Sequence, residues 1–317
     1  MITLRKARLV AAVAVLTAAV SSCIYDETPD CPDEKVEITI LNDWKDAPAA
    51  NPEGMAYLFY RVGVSSPWRF DFPGAEAGKV ALEPGEYEFV MYNDDTSDIV
   101  FATDQNGLPF VTTGNSTIRL SDDEIDLHEP PDMMWSDYVC RVSIRPEGVE
   151  YTSGDSVVGA PGNYVIVTDP RQITPTYTLR VHHVVNLQGV AAMKGWISGM
   201  SLGMELYERI ESETSVRVSF APRITTDSMV IATFNTFGLP FHHKALNELR
   251  LFFLLSDGTT VERKYDVTPT VMSAPDPLNV EIVIDSISLP YAPAPIEGGA
   301  FDPTVVGWET IFVNYGT

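Results

Sequence analysis

The sequence predicts an all-β fold built as two antiparallel β-sandwich domains in series. Three observations carry this expectation. Short segments that alternate apolar and polar residues recur along the chain. Gly, Pro, Asn and Asp clusters bound them at close intervals, and no segment longer than about ten residues sustains a helical period. With 317 residues and 45 % hydrophobic side chains, the chain can bury two cores of ordinary domain size.

The first element is not a strand. Arg5, Lys6 and Arg8 precede an apolar run from Leu9 to Val20, which closes on Val20-Ser21-Ser22-Cys23. The run falls short of the ~20 residues that a membrane-spanning helix requires. Basic residues, a short apolar run and small residues before a cleavage point are the parts of an export signal. Residues 1–22 therefore read as a lipoprotein signal peptide, and Cys23 as the acylated first residue of the mature protein. Residues 23–34 follow as an acidic tether, with Asp26, Glu27, Asp30 and two prolines.

Removal of the signal leaves 18 Lys and Arg against 44 Asp and Glu, a formal charge of −26. Such a surface repels nucleic acid and anionic headgroups, so the membrane is reached through acyl chains at Cys23 alone. Two cysteines remain, Cys31 and Cys140. They form either a disulfide or two buried free thiols. A bridge closing so long a loop would contribute roughly 4–5 kcal/mol in the chain-entropy account.

Residues 35–130 read as the first sandwich. Val36, Ile38 and Ile40 alternate with Glu37 and Thr39; Met55 to Arg61 suits a central strand; Tyr87, Phe89 and Met91 follow the turn Glu83-Pro84-Gly85. The charged, Pro-bearing stretch from Ser121 to Asp132 reads as the boundary. Residues 131–290 read as the second sandwich. Tyr177, Leu179, Val181, His183, Val185 and Leu187 share one expected strand face, and Val216, Val218 and Phe220 another. Leu249 to Leu255 and Val261 to Val267 flank Asp257-Gly258, a hairpin signal in which both central residues are expected at positive φ. Val280, Ile282 and Ile284 add a strand, and the tail 291–317 holds a final candidate from Trp308 to Tyr315.

No catalytic motif stands out. The chain has no Gly-x-Ser-x-Gly elbow, no His-Glu-x-x-His and no Cys-x-x-Cys, which points away from an enzyme and calls for no cofactor or metal. His182-His183 and His242-His243 are adjacent pairs, and neighbours on a strand face opposite ways, so neither suits one ion. His183 is expected to face the core or an interface and His182 the solvent. Asn93-Asp94-Asp95-Thr96-Ser97-Asp98 is oxygen-rich but lacks the twelve-residue calcium spacing, and reads as a solvated turn. Trp68, Trp135, Trp196 and Trp308 sit in apolar sequence and read as core residues before sugar platforms.

Several stretches together resemble one family: the lipobox with a second Cys eight residues on, Leu58-Phe59, Leu82-Glu83-Pro84-Gly85-Glu86-Tyr87, Pro131-Asp132-Met133-Met134-Trp135, Phe234-Asn235-Thr236-Phe237-Gly238, and Leu255-Ser256-Asp257-Gly258-Thr259 with Tyr265-Asp266-Val267-Thr268. The chain resembles the fimbrillin-like outer-membrane lipoproteins of anaerobic Gram-negative bacteria, within a lipoprotein family whose domain has no assigned function. The resemblance implies two tandem transthyretin-like sandwiches at the outer membrane. It also implies pilin subunits, or a host or glycan ligand, as partners. Related fimbrillins polymerise after cleavage at an Arg and β-strand addition. No Arg lies between Cys23 and Lys35 here, so an anchor, tip or unpolymerised subunit is expected.

The acidic stretch after Cys23 resembles export tags of those bacteria, which implies display on the cell exterior. Asp155-Ser156-Val157, Asp227-Ser228-Met229 and Asp285-Ser286-Ile287 resemble their O-glycosylation acceptors, at Ser156, Ser228 and Ser286. The expected function is a non-enzymatic, lipid-anchored surface protein of fimbrial type, in adhesion or as a pilus anchor or accessory subunit. The alternative is a surface glycan-binding lipoprotein of a polysaccharide uptake system. A hydrolase would need two carboxylates facing one cleft at about 5–9.5 Å.

Overall fold

The computed structural model describes residues 35–294 apart from 65, 104–108, 121–122, 227 and 243, together with 310–312. In chain order the strands begin with β1 (Val36–Asn42), β2 (Gly54–Arg61), β3 (Trp68–Pro73), β4 (Lys79–Leu82) and β5 (Gly85–Asn93). Next come β6 (Ile99–Thr103), β7 (Pro109–Thr113), β8 (Asn115–Leu120) and β9 (Asp123–His128). β10 (Trp135–Arg145), β11 (Gly148–Ser153), β12 (Ser156–Gly159), β13 (Val165–Thr168) and β14 (Arg171–Gln172) follow. The chain continues with β15 (Thr176–Val181), β16 (Val184–Val185), β17 (Val190–Ser201), β18 (Gly203–Glu205), β19 (Ile210–Glu211), β20 (Ser215–Phe220), β21 (Arg223–Thr226) and β22 (Met229–Asn235). It ends with β23 (Glu248–Leu255), β24 (Thr260–Asp266), a helical turn α1 (Thr268–Met272), β25 (Asn279–Ile284), β26 (Ile287–Ser288) and β27 (Thr310–Phe312). Among the described residues no helix is long and apolar enough to cross a membrane.

The N-terminal core lies between two sheets, β13-β1-β4 and β12-β11-β10-β5-β2-β3. Val36, Ile38 and Ile40 of β1 point inward and Glu37 outward, as the alternation predicts. They meet Tyr57, Phe59, Phe89, Met91 and Ile144 from the facing sheet. Phe59 and Phe89 pack with centroids 4.5 Å apart. Each such aromatic contributes roughly 1.5–3 kcal/mol by leaving water.

β2 and β5 depart from simple alternation. Ala56, Leu58, Val90 and Tyr92, on the opposite face, are buried too. A third layer covers them: the sheet β19-β18-β7-β6, which contributes Ile99, Val111 and Met204. Two of its strands come from residues 99–113 and two from residues 203–211, and β7 pairs with β18 in the register Thr112↔Gly203, Val111↔Met204, Phe110↔Glu205.

The C-terminal core lies between β21-β22-β15-β25 and β24-β23-β17-β20-β9-β8-β27. Tyr177, Leu179, Val230, Phe234 and Ile282 meet Ile197, Val218, Leu251 and Phe253. Phe220 and Phe234 stack at 4.4 Å. The β23–β24 hairpin closes through Gly258 N to Leu255 O at 2.9 Å and Leu255 N to Thr259 O at 2.8 Å. Gly258 is at φ 85°, while Asp257 is not at positive φ. The connection is therefore a bulged turn and not the expected two-residue one.

Other expectations shift. The division expected at 130/131 cuts through continuous pairing, because β10 joins β5 over Ser136↔Tyr92 to Ile144↔Gly85 and carries residues 135–145 into the N-terminal core. The stretch expected as a boundary contains β9, which pairs with β8 and touches β20. The single strand face expected from Tyr177 to Leu187 breaks at His183, whose φ is 51°. That kink reverses the two histidines: His183 is exposed, with Nδ1 3.2 Å from Asp285 Oδ1, and His182 is half-buried.

Gly203 shows how closely the halves approach. A Cβ there would lie 2.1 Å from the Val111 carbonyl oxygen and 2.5 Å from the Phe110 ring. Gly203→Ala is expected to destabilise the protein by about 1–3 kcal/mol through this overpacking. Urea unfolding measures it, and a neutral substitution would mean that β18 does not sit against β7.

Candidate functional site

Two places in this fold offer more than packing. The first is the edge of the larger C-terminal sheet. β8 and β9 form a hairpin with Ser116 opposite Leu127, and Thr117 Oγ1 donates to Asp126 Oδ1 at 2.8 Å. Beyond β8 the last strand, β27, adds antiparallel with Thr310 opposite Ile118 and Phe312 opposite Ser116. The interaction is main chain to main chain, so it depends little on side-chain identity. A cavity of about 280 Å³ lies behind the hairpin, lined by Ser116, Leu127, Pro130, Trp196 and Phe220 among others. His128 stands beside it, and burial lowers its imidazole below the ordinary value.

Another edge is closed differently. The amides that β13 turns away from β1 are taken up by side chains: Val165 N donates to Asn163 Oδ1 at 3.2 Å and Val167 N to Tyr151 OH at 3.1 Å. An edge capped in this way resists strand addition, whereas the β8 edge receives a strand.

The second place is the junction of the two halves. Asp137 of β10 accepts from Arg209 Nη2 at 2.6 Å and from Tyr138 N through Oδ1, and from Asp169 N through Oδ2. Asp169 Oδ2 accepts from Arg171 Nη2 at 2.9 Å. Asp137 and Arg209 keep only 13 % and 26 % of their side-chain exposure. Burial pushes the Asp137 carboxyl above its ordinary value, although amides and Arg209 pull it down. Burial likewise lowers the Arg209 guanidinium, with Asp137 opposing. Arg209 itself sits at φ 56°, a left-handed conformation that a non-glycine residue adopts at a cost of roughly 1–2 kcal/mol.

The family model described as "Domain of unknown function (DUF5119)" matches residues 23–221. The chain belongs to this family. The DUF5119 match starts at Cys23 and ends just beyond β20. No curated protein matches the sequence. Among solved structures, a "putative adhesin" from Bacteroides ovatus is similar in fold, with 20 % identity, a TM-score of 0.59, and coverage of 87 % of this chain and 99 % of that one. A second "putative adhesin" from the same species has 10 % identity and a TM-score of 0.50 over 82 % and 90 % of the two chains. The fimbrial anchor protein Mfa2 from Porphyromonas gingivalis has 14 % identity and a TM-score of 0.46 over 78 % and 90 %.

In this DUF5119 chain, Cys23 and Cys31 lie outside the described residues, and Cys140 is exposed on β10. Ser156 opens β12 and is exposed. Ser228 and Ser286 are exposed near the same kink: the Ser228 carbonyl accepts from Val184 N, and Asp285 meets His183. Two carboxylates of the 93–98 loop are engaged by the chain itself, since Asp95 Oδ2 accepts from Glu53 N and Asp94 pairs with Arg69, and the Asn93 side-chain oxygen accepts from Trp135 N. Among the described residues no group of three or more His, Cys, Asp or Glu is placed to hold a metal. Trp68 packs on the N-terminal core and Trp196 stacks on Phe252 at 4.5 Å, while Trp308 lies outside the described residues.

The Asp137–Arg209 pair went unseen in sequence because 72 positions separate its members and no local period marks either. Arg209→Ala would leave a buried carboxylate without its cation. It is expected to cost about 2–3 kcal/mol. Arg145→Ala, which removes a 58 % exposed partner of Glu86, is expected to cost less than about 1 kcal/mol. Urea unfolding of the two variants side by side checks the ranking.

Proposed function

We propose that this chain is a non-enzymatic, lipid-anchored protein of the outer cell surface, of fimbrial type, acting in adhesion or as an anchor or accessory subunit of a pilus. The observation that carries the reading is β27 lying on the β8 edge. A three-residue strand near the end of the chain, held by main-chain hydrogen bonds at a sheet edge, is the arrangement by which one subunit takes up a strand from another. Its shortness makes it displaceable, since few hydrogen bonds hold it and each contributes only about 0.5–1.5 kcal/mol net.

Other features support the same reading. The signal-like segment ends at Cys23, where the family match begins, and the mature charge of −26 suits a soluble exterior. The paired sheets around each core fit two tandem transthyretin-like sandwiches, and the fold likeness to "putative adhesins" fits adhesion. Asp137 and Asp169 are engaged by guanidinium groups and amides, which favours a scaffold or binding role over hydrolysis. In this reading Ser156, Ser228 and Ser286 are O-glycan acceptors. Cys140 either bridges to Cys31 or remains a thiol.

Cys23→Ser is expected to move the protein from the outer-membrane fraction to the soluble one, and retention in the membrane would remove the anchor. A chain ending at Ala294 is expected to bind a synthetic peptide of residues 305–317, followed by fluorescence anisotropy, more tightly than the full chain does. If the shortened chain neither takes up the peptide nor loses stability, strand addition at β8 is wrong.

A further inference from the structure

His128 stands where the β8–β9 hairpin joins the rest of its sheet. Within the hairpin the ladder is continuous, from Asn115↔His128 to Leu120↔Asp123, whereas β9 meets β20 through the pair Val218↔His128 alone among the described residues. Glu129 N donates to Gly114 O, so the main-chain bonds of that parallel pair pass through His128 itself. Ser219 Oγ adds a long hydrogen bond of 3.3 Å to Glu129 Oε2, and Leu127 packs on Trp196 and Phe252. The joint is narrow, and the hairpin it carries is firm.

Side chains alternate about this joint. Leu127 turns to the Trp196 side, so His128 turns the other way, beside Val218 of the C-terminal core. From β20 the residues on that side, Val216, Val218 and Phe220, are apolar, while Arg217 and Ser219 alternate away. From β8 come the uncharged Asn115 and Thr117, opposite His128 and Asp126. The charged neighbours of the ring are Asp126 and Glu129, on β9 and just beyond it.

This setting suits a neutral imidazole. Its Nδ1 is buried without a hydrogen-bond partner among the described residues, and the Thr113 carbonyl accepts from the ring, which puts the one proton of the neutral form on Nε2. A second proton would sit on Nδ1, where no acceptor meets it. Burial lowers the imidazole below its ordinary value, with the Thr113 carbonyl, Asp126 and Glu129 opposing. A buried cationic N–H without an acceptor is relieved by reaching water, and parting the single pair to β20 is the shortest way there.

We propose that a proton on His128 parts β9 from β20, so that this joint opens in mildly acidic surroundings and closes near neutrality. The closed form binds the proton more weakly than the open one. It is therefore fully favoured above the ordinary imidazole value of 6.5 and loses ground as the pH falls below it, until both forms are protonated. Parting also uncovers Trp196, which Leu127 covers in the cavity behind the hairpin. The device holds whichever strand lies on β8, so its failure would leave the proposed function standing.

The test is amide hydrogen exchange on the whole mature chain, followed by NMR at about pH 7.5 and about pH 5.5 and corrected for the intrinsic effect of pH. With an open-form value of 6.5, protection at His128 and Ser219 is expected to fall by about three- to tenfold on acidification, while Phe59 and Leu251 keep theirs. His128→Gln retains a donor for Thr113 and takes no proton, so protection at Ser219 is expected to be equal at the two pH values. In the parent the His128 ring is expected to titrate below 6.5, and where the Gln variant is loose at both pH values this titration decides. Unchanged protection in the parent overturns the proposal. So does a Gln variant that keeps the fall, or a His128 ring that titrates at its ordinary value or above.

Discussion

The pairing of β7 with β18 makes one body of the two halves. It joins residues 109–113 to residues 203–205, and so gives the N-terminal core's larger sheet a cover made partly by the C-terminal half. Without that cover, Leu58, Val90 and Tyr92 would face water, a loss of several kcal/mol by area alone. The same pairing places Arg209, four residues beyond β18, where its guanidinium meets Asp137. A second tie, β9 beside β20, fixes the halves from another side. The chain is thus not two beads on a string.

Sheet edges are the other organising problem, because every unpaired strand edge is an invitation to another chain. The chain answers it in three ways. Asn163 and Tyr151 cap β13 with side chains; β12 is four residues long; and β27 covers β8 with main chain from the tail. Only the last is readily reversed by a competing strand, and function by assembly requires such an edge. Acidic surface charge then limits unspecific association while leaving strand addition available.

Much of the fold was legible in the chain. Strands with one wet face, such as β1, β20 and β25, announce themselves by period two, and Asp257-Gly258 marks its hairpin. The tail strand was legible as a β-branched and aromatic run. What could not be read was long-range: the third layer pairs segments some ninety residues apart, and such pairing leaves no local period, as the Thr112 to Leu202 hydrogen bond illustrates. The left-handed conformations of His183 and Arg209 were also hard to read, since most residues of either type keep negative φ, even though histidine adopts positive φ more often than arginine does. For that reason the strand face expected to reach Leu187 stopped at Val181, and the polar junction, built from charges in separate segments, went unnoticed.

Amide hydrogen exchange is the sharpest probe of the interlocked architecture. The amides of Val111 and Met204 are expected to exchange as slowly as those of Phe59 and Leu251 in the two cores, because the shared layer should open only with global unfolding. Fast exchange at Val111 and Met204 while both cores stay protected would mean that the halves are independent, and the interlock would be refuted.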